Sequence, residues 1–230
     1  MVIMSRLKIK IIYDNRSLKG FRHAWGFSAL IKINNKNILF DTGANPEILF
    51  YNMKKLDFSP ENIDNIIISH SHPDHTSGLP YILGLKEDIN IYLPKYMNSN
   101  KKKEFKMYGT EVTNYIETDG SNIIIKDRVK AICTQDLYEQ FLLIHLKKGL
   151  LIITGCAHPG LEKIIDFSRK IDNIYGVMGG FHGFSNLSKL NGIEFISPCH
   201  CTSYINKIKE KYKEYFVNCA AGSIFEFQLD

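Results

Sequence analysis

No apolar run in this chain approaches the ~18 residues needed to cross a bilayer as a helix. The longest stretches, "FLLIHL" and "GLLIIT", are separated by Lys147 and Lys148 and read as strands. The N-terminal stretch lacks the basic, apolar and small-residue zones of an export signal. Cysteine is scarce: five residues, an odd number, scattered without framework spacing. That excludes a disulfide scaffold and leads us to expect reduced thiols and a cytoplasmic protein. Neither a linker nor a tandem repeat interrupts the 230 residues, so residues 1–230 are expected to form a single domain. The net charge of +5 comes from dispersed lysines; the one tight run, Lys101 to Lys103, reads as a solvated loop. A nuclease would need a basic arm or inserted nucleic-acid domain that is not apparent. The expected partner is therefore a small, anionic molecule, with no nucleic acid and no membrane, and no pattern specifies an oligomeric state.

What is present alternates strands with helices. "RLKIKIIYD", "FSALIKIN" and "NILFDTG" predict three early strands, and "NPEILFYNMKKLDF" a helix capped by Asn45. "IDNIIIS" is a β-branched run without alternation, as in a strand covered on both faces. "INIYLP" predicts another strand, whereas residues 95–120 are polar and poorly patterned. "NIIIK", "VKAICT", "QFLLIHLKKG" and "LLIITG" predict a second set of strands. They are followed by the amphipathic helix "LEKIIDFSRKI", the strands "NIYGVMGG" and "IEFISP", and an exposed helix "YINKIKEKYKEYF". Strands then helices occur once in each half, which implies two sheets with outer helices.

The chemistry concentrates where "IDNIIIS" ends, in "HSHPDH", three histidines and one aspartate in six positions. Residues two apart on an extended segment point to one side, so His70 and His72 can converge on one ion. Pro73 forces a turn, after which Asp74 and His75 project differently and can serve a second ion. Thr76, Ser77 and Gly78 read as the cap and entry of a short helix, "GLPYIL". Imidazoles with a carboxylate suit Zn²⁺ first, with Mn or Fe as alternatives. Further ligands are expected downstream, and His158, His182 and His200 each follow an apolar strand beside glycine, proline or cysteine. His182 is either a ligand or a proton carrier. His145 alternates within a strand and reads as structural; His23, beside Trp25, is a weak candidate for a pocket wall. Two divalent ions sharing a hydroxide provide a nucleophile near neutral pH and stabilise charge on an oxygen, which suits hydrolysis of a small ester or phosphoester.

"HSHPDHTSG" resembles the H-x-H-x-D-H signature of the metallo-β-lactamase superfamily, and "ILFDTG" resembles its strand ending in Asp-x-Gly. "TGCAHPG", "GGFHGF" and "SPCHCTS" resemble a branch typified by an archaeal synthase of a dihydropterin–ribofuranosylaminobenzene phosphate. The resemblance implies an α/β (α+β) fold, a four-layer αβ/βα sandwich with two metals at one edge. It implies His70, His72 and His158 at one ion, Asp74, His75 and His200 at the other, with Asp41 orienting a ligand and His182 serving substrate binding or proton transfer. The branch also implies an alternative activity, a transferase joining a dihydropterin methyl diphosphate to an aminobenzene carbon with release of diphosphate. A flavodiiron-type redox centre would place glutamate where His72 stands. Several positions depart from the pattern. Where many members have a bridging aspartate this chain has Cys156, read either as a bridging thiolate or as a buried structural cysteine outside the coordination sphere. The acidic stretch before "TGC" is shortened to "TQDLYEQF", and Ser203 replaces a glycine. Cys199 and Cys201, flanking His200, are expected to point away from it as packing groups.

Overall fold

In the computed structural model, which describes residues 6–126 and 128–229, the alternating N-terminal segment forms β1 (Arg6–Tyr13), with Leu7, Ile9 and Ile11 inward. There follow β2 (Ser28–Ile33), β3 (Lys36–Phe40), α1 (Pro46–Lys55) and β4 (Asn65–Ile67). The half is completed by α2 (Pro73–Thr76), α3 (Leu79–Leu83), β5 (Asn90–Pro94), α4 (Ser99–Lys106) and β6 (Asn114–Thr118). Asn45 caps α1 as expected, its side chain accepting from Ile48 N at 3.1 Å, a contact worth ~1 kcal/mol.

The second half comprises β7 (Ser121–Ile125), β8 (Val129–Thr134), β9 (Leu137–Leu146), β10 (Gly149–Thr154) and α5 (Leu161–Arg169). It continues through β11 (Ile174–Gly180), β12 (Phe195–Cys199) and α6 (Ile205–Lys211), and β13 (Ile224–Gln228) returns to the first sheet. The sheet orders are β13-β1-β2-β3-β4-β5-β6 and β12-β11-β10-β9-β8-β7. β3 to β6 run parallel to one another, as do β10 to β12.

Three apolar clusters make this a four-layer αβ/βα sandwich. One lies between the sheets, joining Ile9, Ile31 and Phe40 to Ala131, Leu142 and Ile153. A second packs α1 and α3 on the first sheet through Leu49, Met53 and Ile82, and a third packs α5 and α6 on the second through Ile164, Ile165 and Ile208. Burying both faces of each sheet explains the unbroken apolar runs of β4 and β10. Among the described residues no helix is long and apolar enough to cross a membrane.

Local expectations fail in four places. Residues 95–120 are structured: Lys101 to Lys103 lie in α4, which Asn98 caps and which buries only Phe105. Thr76 and Ser77 do not cap α3; their hydroxyls bond back to His72 O and Pro73 O within the α2 turn. The lysine-rich C-terminal helix stops at Lys211. Cys199 is a core residue, but Cys201 is only half-buried and its Sγ lies 3.8 Å from Cys156 O. Alternation does not carry through the left-handed turn at His200, φ +49°.

Candidate metal centre

The candidate residues all lie just past the carboxyl ends of strands, along one edge of both sheets. Asp41 follows β3, and His70, His72, Asp74 and His75 follow β4. Cys156 and His158 follow β10, His182 follows β11 and His200 follows β12. The chain turns sharply here. Asp41, Ala157, His182 and His200 have φ of +58°, +59°, +45° and +49°, a region that costs non-glycine residues of order 1 kcal/mol or more. Hydrogen bonds hold the strain in place; Asp14 Oδ1, just past β1, accepts from His200 N at 2.7 Å. Gly155 must be glycine, since a Cβ there would stand 2.2 Å from Ser69 Oγ.

Four imidazoles have their Nδ1 atoms occupied. His75 Nδ1 is 2.7 Å from Asp41 Oδ2, and His200 Nδ1 is 3.0 Å from Asn15 Oδ1. His70 Nδ1 is 2.9 Å from Ser69 Oγ, whose proton goes to Asp41 Oδ2 at 2.7 Å; His158 Nδ1 bonds Glu139 Oε1. With Asp41 ionised, as an adjacent dication would hold it, each Nδ1 carries a proton and Nε2 is left bare on His70, His75 and His200; the Glu139 hydrogen bond raises His158, favouring a second proton there that a cation would displace. His75 Nε2 and His200 Nε2 then face each other at 3.1 Å with no proton to share, and Cys156 Sγ lies 3.2 Å from His75 Nε2. Imidazole nitrogens and a thiol that converge in this way, with the rings held through Nδ1, make a donor set that fits a divalent metal.

In each of two groups the donor atoms all lie within 4.8 Å of one another: His70, Cys156 and His158 in one, and His75, Cys156 and His200 in the other. Cys156 belongs to both. His72 and Asp74 stand at the margins. His72 Nδ1 is 3.0 Å from His70 Nε2, and Asp74 Oδ2 is 3.3 Å from His200 Nε2 and 3.6 Å from His75 Nε2. His182 belongs to neither group; it is exposed, its ring 4.7 Å from that of His158. His23 is exposed and contacts Ser17, and His145 lies in β9, both away from the cluster.

The electrostatics keep the donors ready. Burial and the neighbouring imidazoles push His70 down to about 2 and His75 to about 3, so both are neutral near pH 7. Burial raises Asp74, but the His200 hydrogen bond and the adjacent His75 ring outweigh it and hold the carboxylate ionised. Burial pushes Asp41 up to about 8 against two Ser69 hydrogen bonds. The Cys201 hydrogen bond and burial raise the Cys156 thiol, which keeps its proton until a cation displaces it.

Sequence reasoning missed the groups that hold the rings, Glu139, Asn15 and Ser69, and Asp14, which holds the His200 backbone. Glu139 takes both the ring and the backbone N–H of His158, the latter at 3.1 Å. Its signal was the shortened acidic stretch "TQDLYEQF"; the signal for Asp14 and Asn15 was the polar end of "KIIYDN".

The sequence profile described as the metallo-beta-lactamase superfamily matches residues 26–159, more than half of the chain. The chain belongs to the metallo-β-lactamase superfamily. An uncharacterized protein of Methanocaldococcus jannaschii, MJ0448, is 32% identical over 94% of this chain and 98% of its own length. The 7,8-dihydropterin-6-methyl-4-(β-D-ribofuranosyl)-aminobenzene-5′-phosphate synthase of the same organism is 32% identical over 88% of this chain and 90% of its own. Among solved structures, Tm1679, described as a metal-dependent hydrolase of the β-lactamase superfamily, aligns with a TM-score of 0.77. At 24% identity, covering 96% of this chain and 99% of that one, it supports the fold alone. Superfamily membership and the donor chemistry point the same way: a centre built for divalent metal.

Proposed function

We propose that this superfamily member is a binuclear metal-dependent hydrolase of a small, anionic ester or phosphoester, acting in the cytoplasm without nucleic acid or membrane. The observation that carries the reading is Cys156, common to two groups of imidazoles whose bare nitrogens converge. His70, His72 and His158 would hold one ion and Asp74, His75 and His200 the other, with Cys156 between them. Zn²⁺ suits this mixture, with Mn or Fe as alternatives. When bound, such ions supply an acidified water and positive charge for a developing oxyanion.

The chain's own residues do the positioning. Asp41, Glu139 and Asn15 orient the rings, and Asp74 contributes a carboxylate kept ionised. His182, exposed with its ring 4.7 Å from that of His158, would pass a proton to a leaving oxygen. A cleft of about 320 Å³ beside His70 and His158 receives the body of the substrate.

One observation favours a second reading, the 32% identity with a protein named as a synthase. A transferase releasing diphosphate would use the same cations to steady the leaving group. The deciding experiment is elemental analysis of protein purified without chelator, wild type and Asp74→Ala, with assays on an ester and phosphoester panel. Near two ions per chain, falling toward one in the variant, with turnover abolished by chelator, is the expected result. One ion or none, unchanged by added Zn, Mn or Fe, would sink the binuclear reading. Diphosphate release only in the presence of an aryl acceptor would move the assignment to the transferase.

A further inference from the structure

Two clefts open on either side of the histidine cluster, and they differ in charge. The one beside His70 and His158 is walled by Pro94, Tyr96, Met97 and Tyr138, with no lysine or arginine in its lining. The one beside His200, about 410 Å³, is walled by Asn15, Arg16, Ser203, Tyr204, Asn206 and Lys207. It therefore holds two side-chain cations and several neutral donors.

Both cations are positioned by contacts. Arg16 Nη2 donates to Cys219 O at 3.2 Å and Nε lies 3.9 Å from Asp14 Oδ2, yet the side chain remains 46% exposed. Lys207 Nζ stands 4.7 Å from the centre of the Tyr204 ring. Asp14 is the acid beside Arg16, but it is buried and its other oxygen is taken by His200 N–H. The cleft shares a wall with the metal centre, because Asn15 Nδ2 donates to His200 O at 2.9 Å while Asn15 Oδ1 meets His200 Nδ1.

We propose that the Arg16–Lys207 cleft is a phosphate subsite, anchoring a distal phosphate monoester on the same substrate whose reacting group lies at the metal centre. This rests on the hydrolase reading and narrows its substrate class. The substrate is a phosphorylated ester: an apolar or aromatic body against Tyr96 and Tyr138, the ester between the clefts, the phosphate among the cations. A guanidinium, an ammonium and neutral amide and hydroxyl donors match the several oxygens of a phosphate dianion better than a lone carboxylate.

The test uses two 4-nitrophenyl esters of one acyl chain, one ending in phosphate and one in a neutral hydroxyl, with the zinc-loaded protein. The wild type is expected to prefer the phosphorylated ester by about tenfold or more in kcat/KM. Arg16→Gln and Lys207→Gln should each shrink that preference, and the double variant should bring it near unity. Among the described residues Lys207 makes only a ring contact, so its variant guards against misfolding of Arg16→Gln, and Lys170→Gln, in a separate cleft beside Lys163 and Asp166, controls for net charge. No preference in the wild type, or an undiminished preference in the double variant, overturns the proposal.

A second readout separates this from failure of the hydrolase reading. Trp25, the chain's one tryptophan, is 61% exposed with its ring 5.1 Å from that of His200. Its fluorescence should report inorganic phosphate binding, with Kd about tenfold weaker in either variant. If neither ester is turned over but the variants weaken phosphate, the hydrolase reading fails and the subsite stands. Equal Kd in all variants overturns the subsite. Phosphate binding that depends on both cations, alongside ester turnover without preference, would mean a site for the free anion and would overturn the anchoring role.

Discussion

The two donor groups are built alike but set at different depths. His75 and His200 are buried, and each is held through Nδ1 from a different strand end, by Asp41 past β3 and Asn15 past β1. The His70 and His158 group opens outward: His158 is half-buried, His72 is exposed, and a cleft adjoins them. A buried imidazole must be repaid for lost hydration, and its Nδ1 bond does so while aiming Nε2. The deeper group is thus suited to be an anchor, and the shallower one to meet substrate and solvent.

The largest effect should come from the residue the groups share. Cys156→Ala is expected to weaken both ions by at least about 100-fold, read as metal content after dialysis against a chelator. Loss of one ion alone would mean that the thiol serves one group. Asp41→Asn should weaken the buried ion most, by about 10- to 100-fold in competition with a chromophoric chelator, because the amide no longer holds the His75 Nδ1 proton as a carboxylate does, while the open group, reached only through Ser69 and His70, should lose less. Equal loss at both ions would erase the distinction in depth. Glu139→Gln should do the reverse more mildly, roughly tenfold at the open group, since the amide oxygen can still accept from His158.

The smallest effect is on stability. His70 and His75 are depressed when folded, so the unfolded chain binds more protons than the native one once pH falls below the ordinary histidine value of 6.5. Metal-free protein should lose stability as pH drops from 6.5 toward 4. Asp41, raised to about 8, works in the opposite direction over this window, as do Asp14, raised by burial, and His158, raised by the Glu139 hydrogen bond, so part of the slope cancels. The remainder, at most about 1 kcal/mol per pH unit, would appear as a falling thermal midpoint that bound zinc suppresses. A flat profile would show that the buried rings are not neutral for the reason given.

Much of the fold was readable because its signals are local. α1 follows from Asn45 and apolar spacing, and β4 and β10 from runs too apolar for an exposed face. α4 escaped notice because its stability is also local but not apolar: the Asn98 cap and a Lys101–Glu104 pair at 2.8 Å carry it, with Phe105 its only buried residue. Cys201 departs from the expected packing position because strand alternation ends at His200, where the backbone leaves the strand.

The sequence by itself determined the dense histidine motif, the later histidines at strand ends and the family they resemble, because donor type and spacing are written along one stretch of chain. Only the tertiary structure decided which acid holds which ring. Glu139 reaches His158 because β9 runs beside β10, and Asn15 reaches His200 across 185 positions because β1 and β12 end at the same edge. Proton placement on an imidazole depends on its partner, and partners so far apart in the chain become neighbours only when the two sheets pack.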